Sequence, residues 1–130
     1  MITTSDIVDI LFEVCASFKM PMYRKGAIPD GVVSSERIVI IPKDQTPQTY
    51  WKRCFVEVNL CVPDMADGVA ELNRLQALER QSQRVFDGVT GEYESDAYLI
   101  SIESLNGVNR DEGMKCHYVN VRLLFQVLNC

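Results

Sequence analysis

The sequence predicts an α+β fold, a mainly antiparallel sheet with one long helix packed across it and a capped N-terminal helix. Three observations support this prediction: an alternating apolar run at 53–62, a long amphipathic run at 67–86, and two further strand-like runs at 95–105 and 114–128. The predicted order is α-β-β-β-α-β-β. At 130 residues, the chain is expected to form a single domain, 1–130.

The first helix is predicted from about residue 4 to residue 18. Its apolar residues recur at steps of three and four, which is the spacing of one helical stripe: Ile7, Ile10, Leu11, Val14, Cys15 and Phe18. Thr3 and Asp6 have the spacing of a capping box, with the carboxylate near the positive end of the helix. Pro21 then prevents the helix from continuing.

The region between this helix and residue 53 is less regular. A short strand is predicted at 20–23, and turns are predicted around Gly26 and Gly31. Residues 37–41 are rich in β-branched side chains and indicate a buried strand that ends at Pro42. Residues 42–52 contain two prolines and several polar side chains, so they are predicted to form a loop.

The run at 53–62 predicts a strand with one apolar face and one mixed face. Cys54, Val56, Val58, Leu60 and Val62 form the apolar face. The run at 114–128 also predicts a strand with one apolar and one mixed face. Its apolar face consists of Val119, Val121, Leu123, Phe125 and Val127.

The amphipathic run at 67–86 predicts a helix of about five turns, long enough to cross several strands. Its apolar stripe consists of Val69, Leu72, Leu75, Leu78, Ser82, Val85 and Phe86. Residues 87–96 are predicted to be a polar, acidic loop. Tyr98, Ile100 and Ile102 should share one face of the following strand, and residues 106–113 are predicted to be a hairpin loop.

Composition and charge exclude several classes of function. The net charge is -5, and residues 1–65 carry 7 basic and 8 acidic side chains, whereas residues 66–130 carry 6 and 10. Neither half is basic, which disfavours specific nucleic-acid binding, because phosphate affinity comes from Lys and Arg. The start has no signal-peptide pattern, and no stretch approaches the roughly 20 apolar residues that span a bilayer. A cytoplasmic protein without membrane contact is therefore expected.

No residue pattern indicates catalysis, a cofactor or a metal site. The cysteines number five, an odd count, without a C-x-x-C pair, and Cys54 and Cys61 should point to opposite strand faces. For the same reason Cys116 and the single histidine, His117, should not pair as a nucleophile and base. The acidic residues of 87–96 match no calcium loop. Phosphate-binding glycine loops and nucleophile elbows are absent, although carboxylates brought together by folding would leave no sequence signal.

Two groups of residues have an open interpretation. Tyr50, Trp51, Lys52 and Arg53 form an aromatic and basic patch, which is typical of protein interfaces. The alternative is that the tryptophan side chain folds back onto the sheet edge. Arg122 interrupts the most apolar strand, next to Asn120 and Gln126 on the mixed face. Either this face is simply polar and solvated, or it meets another subunit with Arg122 paired across the contact.

The order of segments resembles a known family. A capped N-terminal helix precedes a β-rich middle. The strand VEVNLCV (56–62) runs into the helix ELNRLQALERQSQRVFD (71–87), and the segments AYLISIESL and HYVNVRLLFQVL end the chain. This order is similar to that of the tail terminator, or tail completion, proteins of long-tailed bacteriophages and prophages. The resemblance covers most of the chain and is one of segment order rather than of an invariant motif.

The resemblance implies a structural virion protein rather than an enzyme. Members of that family form rings, commonly hexamers, that cap the tail tube and present a surface to the neck, so the implied partners are further copies of the chain, the tube protein and neck proteins. The implied location is the host cytoplasm during assembly and then the virion tail. The residues expected at interfaces are Arg24, Lys25, Tyr50, Trp51, Arg53 and Arg122. The alternatives are a head–tail joining protein and a small cytoplasmic enzyme or ligand-binding domain.

Overall fold

The computed structural model describes residues 2–43 and 53–128, and within these residues the chain forms two α-helices and six strands. Helix α1 is followed by one 3₁₀ turn, and helix α2 lies between the third and fourth strands. The elements are α1 Thr4–Val14, the 3₁₀ turn Cys15–Phe18, β1 Met22–Arg24, β2 Arg37–Pro42, β3 Arg53–Pro63, α2 Leu72–Phe86, β4 Val89–Tyr93, β5 Asp96–Asp111 and β6 Cys116–Val127.

All six strands belong to one sheet, in the order β1-β2-β3-β6-β5-β4. Strands β1 and β2 are parallel, and every other neighbouring pair is antiparallel. The predicted α+β class, with a mainly antiparallel sheet and a long helix across it, is confirmed. Helix α2 contacts β3, β5 and β6, the three adjacent strands at the middle of the sheet.

The core lies between the sheet and the helices, and the predicted apolar faces of β3 and β6 supply its centre. In the register of these strands Val56 lies opposite Leu123, and Val58 opposite Val121. These four side chains have no solvent exposure. Ile38 and Ile40 of β2 and Ile100 of β5 extend the same buried surface to both sides: each is 0% exposed. The alternation that predicts these faces is therefore confirmed.

The sheet curls until its two edges approach the first turn of α1. Arg24 on β1 donates a hydrogen bond from Nη2 to Ser5 Oγ, at 3.2 Å. Tyr93 on β4 donates from its hydroxyl to Asp6 Oδ1, also at 3.2 Å. Strands β1 and β4 stand at opposite ends of the strand order, yet both reach consecutive residues of one helical turn. Helix α1 therefore fills the opening between the two edges.

The capping box of α1 is confirmed. Thr3 Oγ1 accepts a hydrogen bond from the Asp6 backbone N–H at 3.2 Å, and Asp6 Oδ2 accepts one from the Thr3 N–H at 2.9 Å. The α-helix ends at Val14 and tightens into the 3₁₀ turn, so only the last turn of the predicted helix differs in type. Lys19 then takes the left-handed conformation, with φ 57°, and ends the element.

The prediction that α2 begins at residue 67 is wrong, because the helix begins at Leu72. A turn precedes it, in which Met65 donates to the Val69 carbonyl and Gly68, at φ 78°, donates to the Met65 carbonyl. Val69 and Leu72 are consequently exposed and do not belong to the buried stripe. The rest of the stripe is confirmed, with Leu75, Leu78, Ser82 and Phe86 buried and Val85 partly buried.

The predicted acidic loop at 87–96 is wrong, because residues 89–93 form strand β4. The strand turns into β5 through Glu94 and Ser95, both in the left-handed region at φ 48° and 74°. Two such residues at the centre of a hairpin match the right-handed twist of the strands. The ring of Tyr98 lies against Gly91, where an added Cβ atom would collide with the tyrosine hydroxyl, and stacks on Phe125 at 5.2 Å between ring centroids.

The predicted hairpin loop at 106–113 is also wrong. Strand β5 continues to Asp111 and pairs with β6 as far as Cys116. The pairing of β5 with β6 contains two register shifts, one between Ile102 and Ser104 and one between Asn106 and Val108. Each shift places one extra residue in β5, which changes the face of the side chains that follow. The order of elements is therefore α-β-β-β-α-β-β-β.

We predict that Leu78→Ala lowers the free energy of unfolding by about 2–5 kcal/mol, because it leaves a cavity under α2. Leu78 is 0% exposed, whereas Leu72, six residues earlier on the same helix, is 53% exposed. Leu72→Ala is the matched control and should change the free energy of unfolding by less than about 0.5 kcal/mol. Urea denaturation measures both changes. Equal losses in the two variants would contradict the placement of α2.

We also predict that the contribution of Asp6 to stability is lost in acid. Hydrogen bonds from the Thr3 backbone N–H and side chain hold the pKa of Asp6 below its ordinary value of 3.8. A depressed carboxyl pKa stabilises the fold above the unfolded-state pKa, and this stabilisation disappears as the pH falls through the folded-state pKa. Asp6→Asn should lower the melting temperature at pH 7 and lose that difference below pH 3.8.

Melting temperatures between neutral pH and strong acid measure this effect. Asp9→Asn removes the same charge from an exposed position of the same helix, so it serves as the control. A melting-temperature difference for Asp6→Asn that persists unchanged into strong acid would contradict the prediction.

Candidate assembly interface

The face of β3, β6 and β5 that points away from the helices is the candidate site, and we call it the outer face. Its side chains alternate with the buried core residues along each strand and are mostly half-buried. In the middle of the outer face, Phe55 lies opposite Leu124, which in turn lies opposite Ser101. The outer face thus carries apolar as well as polar side chains.

Three asparagines form a ladder across the outer face. Asn59, Asn120 and Asn106 lie side by side in the register of β3, β6 and β5. Asn106 donates from Nδ2 to Asn120 Oδ1 at 2.8 Å, and Asn120 donates from Nδ2 to Asn59 Oδ1 at 2.7 Å. Each amide fixes the orientation of the next, so the polar groups at the middle of the outer face are held in place.

Arg122 lies on the outer face and makes its contacts within the chain. Its guanidinium carbon is 4.4 Å from the centroid of the Phe55 ring, within the range of a cation–π contact. Its Nε is 3.4 Å from Glu103 Oε2, near enough for an ion pair but without hydrogen-bond geometry. Glu57, directly opposite Arg122, pairs instead with Lys43, at 3.1 Å. The polar interpretation of this face accounts for these contacts, and pairing of Arg122 across a subunit contact stays a prediction.

The other predicted interface residues fall into two places. Arg53 begins β3, is exposed, and shares the outer face with Arg122. Arg24 and Lys25 lie at the edge of the sheet formed by β1, where Lys25 is exposed and its backbone N–H donates to the Ile40 carbonyl. The pair Arg53 and Arg122 therefore lies on a different surface from the pair Arg24 and Lys25. Tyr50 and Trp51 lie outside the described residues.

A cavity of about 410 Å³ opens on the β2 side of the outer face, and the sequence did not predict it. Strands β2, β3 and β6 form its floor, and the segment 28–31 forms one wall. Just after this segment, the backbone N–H of Val33 donates a hydrogen bond to the Met114 carbonyl at 2.9 Å, which fixes the segment over the strands. Under it, Val33, Val39, Cys61 and Cys116 form a second, smaller apolar cluster. The one feature of the sequence that could have indicated this cavity is the charged residue Arg37 at the start of an apolar strand.

The cysteines of the described residues behave as buried apolar side chains. Burial raises the pKa of Cys15 and of Cys116 to about 12, and it also raises the pKa of Cys61. These thiols are therefore protonated at neutral pH and are poor nucleophiles. Cys54 lies in the main core and Cys61 in the second cluster, which confirms that they point to opposite faces.

His117 points away from Cys116, as predicted from their adjacent positions in a strand. Its Nδ1 is 2.6 Å from Asp64 Oδ1, at the end of β3, and Cys116 lines the cavity. Across residues 2–43 and 53–128, no group of three or more His, Cys, Asp or Glu side chains has the arrangement of a metal site. None of the helices in the same residues combines the length and apolar character needed to cross a bilayer.

Comparison with known proteins gives a likeness of fold. No family model matches the chain, and no curated protein matches it. A solved structure, whose designation states no activity, ligand or partner, aligns with a TM-score of 0.64 and 14% sequence identity. The alignment covers 98% of this chain and 98% of that one. The architecture is thus shared over nearly the whole length, and at this identity only the fold follows.

We predict that Phe55 and Arg122 are energetically coupled. A double-mutant cycle with Phe55→Leu and Arg122→Met removes the ring and the charge while keeping apolar side chains. The coupling should be about 0.5–1 kcal/mol in favour of the wild-type pair, the usual range of a partly exposed cation–π contact. Urea denaturation of the four proteins measures it. Additive losses would show that the two side chains are neighbours without an attractive interaction.

Proposed function

We propose that this chain is a structural virion protein of the tail-terminator type, which forms a ring, caps the tail tube and joins it to the neck. The observation that supports the proposal is the outer face of β3, β6 and β5, which neither helix of the described residues covers. It combines the half-buried side chains of Phe55 and Leu124 with an ordered polar network. The segment order described above supplies the family.

The outer face has the composition of a protein–protein contact. Interfaces combine aromatic residues and arginine with polar groups at the rim, and they are depleted in lysine. Here Phe55 and Arg122 lie together at the middle of the sheet, and the asparagine ladder lies beside them. Because these side chains are already held by intrachain contacts, ordering them on association costs less entropy than fixing free side chains would.

A cyclic ring requires two different complementary patches on each subunit, because its contacts are heterologous. The outer face with Arg53 and Arg122 is the first patch in this proposal. The second patch in this proposal is the β1 edge with Arg24 and Lys25, and Tyr50 and Trp51 are expected to contribute to the contact. The structure separates the outer-face residues from the β1 edge, as a heterologous contact demands.

The charge of the chain is compatible with a passage for DNA. A net charge of -5 on each copy would line the opening of a ring without binding the phosphate backbone, since like charges repel. In this proposal the acidic residues Asp87, Glu92 and Glu94 contribute to that lining. Glu92 and Glu94 are exposed on β4 and in the turn after it.

We predict six-fold rings in native mass spectrometry at high protein concentration and in electron micrographs, and copurification of the chain with tail tubes. Arg122→Glu should abolish ring formation, because it places a like charge beside Glu57 and Glu103 and removes the contact with Phe55. Arg80→Glu makes the same charge change at an exposed position of α2, away from the outer face, and should leave the rings intact.

The proposal fails if the wild-type chain stays monomeric both alone and in the presence of tail tubes. Copurification with portal-bearing heads rather than with tubes would instead indicate a head–tail joining protein. Rings that form equally well from Arg122→Glu and from Arg80→Glu would exclude the outer face as the contact surface while leaving the ring itself in place.

A further inference from the structure

We propose that the cavity on the β2 side of the outer face is a binding site for a carboxylate group carried on an apolar body, with the guanidinium of Arg37 as its anchor. This inference goes beyond the proposed function and does not depend on ring formation. It depends on three features of the cavity: a cation without a carboxylate partner among the described residues, apolar surface near it, and two carboxylates at the side.

Arg37 has no carboxylate partner within the described part of the chain, although its side chain forms a hydrogen bond with the Cys61 thiol. It is the first residue of β2 and lines the cavity. Its Nε is buried and makes no hydrogen bond, and among the described residues no carboxylate lies within ion-pair distance of it. Its guanidinium carbon is 5.9 Å from the Tyr23 ring centroid, which is a weak contact at the limit of the cation–π range.

A partly buried cation without a counter-ion is costly, and an incoming anion would remove much of that cost. Guanidinium matches the planar geometry of a carboxylate and can hold both of its oxygens. The burial of Arg37 also protects such a pair from the screening that weakens ion pairs at an open surface. A carboxylate is thus the group that Arg37 is best suited to receive.

The rest of the cavity suits a small apolar body with hydrogen-bonding groups. Val39 and Ile41 of β2 and Met114 supply apolar surface, and Asn59 and Tyr118 supply polar groups. The volume of about 410 Å³ lies within the range of small-molecule sites. A ring of benzene size with a carboxylate would fill part of this space and leave room for a substituent.

Two carboxylates restrict what the far end of the ligand can be. Asp30 and Asp111 also line the cavity. Asp111 Oδ1 accepts a hydrogen bond from the Met114 backbone N–H at 3.2 Å, which fixes the position of this side chain. A second negative charge on the ligand would be repelled by these groups, and a positive charge would be attracted. The site should therefore prefer a monocarboxylate or a zwitterion over a dicarboxylate.

Titrations followed by ¹H–¹⁵N NMR test the inference with three probes of similar size: benzoate, 4-(aminomethyl)benzoate and terephthalate. We expect shifts of the amides around the cavity, with affinity falling in the order zwitterion, benzoate, terephthalate. Arg37→Gln should weaken the binding of benzoate by about tenfold or more, and Arg37→Lys by less, because it keeps the charge but loses the bidentate geometry.

Arg80→Gln is the matched control, because it removes an arginine from an exposed position of α2, outside the cavity, and it should bind benzoate like the wild type. Acetyl-glutamate amide distinguishes the source of the carboxylate: tighter binding than that of benzoate would indicate an acidic side chain of a protein, and weaker binding a free organic acid. The wild-type spectrum serves as the reference for folding, and Arg37→Lys replaces Arg37→Gln if the latter does not fold.

Three results would overturn the inference. The first is an absence of amide shifts around the cavity at probe concentrations up to about 20 mM, where even a weak ligand of this size binds. The second is an equal response of wild-type protein and Arg37 variants. The third is a preference for terephthalate, which would contradict the role of Asp30 and Asp111. None of these outcomes bears on whether the chain forms rings.

Discussion

The curl of the sheet around α1 is the constraint on which the rest of the structure depends. Ile7, Val8, Ile10 and Leu11 of α1 are all buried, so the helix needs apolar surroundings on more than one side. A flat sheet would cover one stripe only. The curled sheet brings its two edges to either side of the first helical turn, where Ser5 and Asp6 bind Arg24 and Tyr93. Closing the core in this way leaves the outer face outside it, where the segment 28–33 covers only the part around Val39, Cys61 and Cys116.

The sequence predicts the segments whose periodicity is uninterrupted. The structure confirms the burial predicted for the alternating apolar residues of β3 and β6 and for the later turns of α2. Each of these segments packs against the same core along its length, so its apolar residues recur at a regular spacing. Strand β4 was not predicted, because its inward positions are Val89, Gly91 and Tyr93, which form a weak apolar pattern among acidic neighbours. Glycine occupies the middle position because the ring of Tyr98 lies against it. That requirement is tertiary and leaves no periodic signal.

Some residues of the candidate site could also be predicted from strand alternation, and others depend on how distant segments come together. Arg53 and Arg122 stand on a mixed strand face that alternation alone predicts, and the structure places them on the outer face. The asparagine ladder depends on the register of three strands, two of them far apart in the chain, so single-strand patterns cannot reveal it. The Arg37 cavity depends on where the segment 28–31 folds, and turn-forming residues predict that a chain bends but not what it then covers.

The two bulges of β5 have a consequence for behaviour at high concentration. Strand β4 pairs with residues 96–100 of β5, and within residues 2–43 and 53–128 no strand pairs with the same edge of β5 beyond them, so that edge is open there. Open edges invite the addition of strands from other molecules and, with them, aggregation. The extra residues near Glu103 and Gly107 interrupt the regular spacing of backbone donors and acceptors that such pairing needs. The fold thereby discourages indiscriminate backbone pairing and leaves recognition between molecules to its side chains.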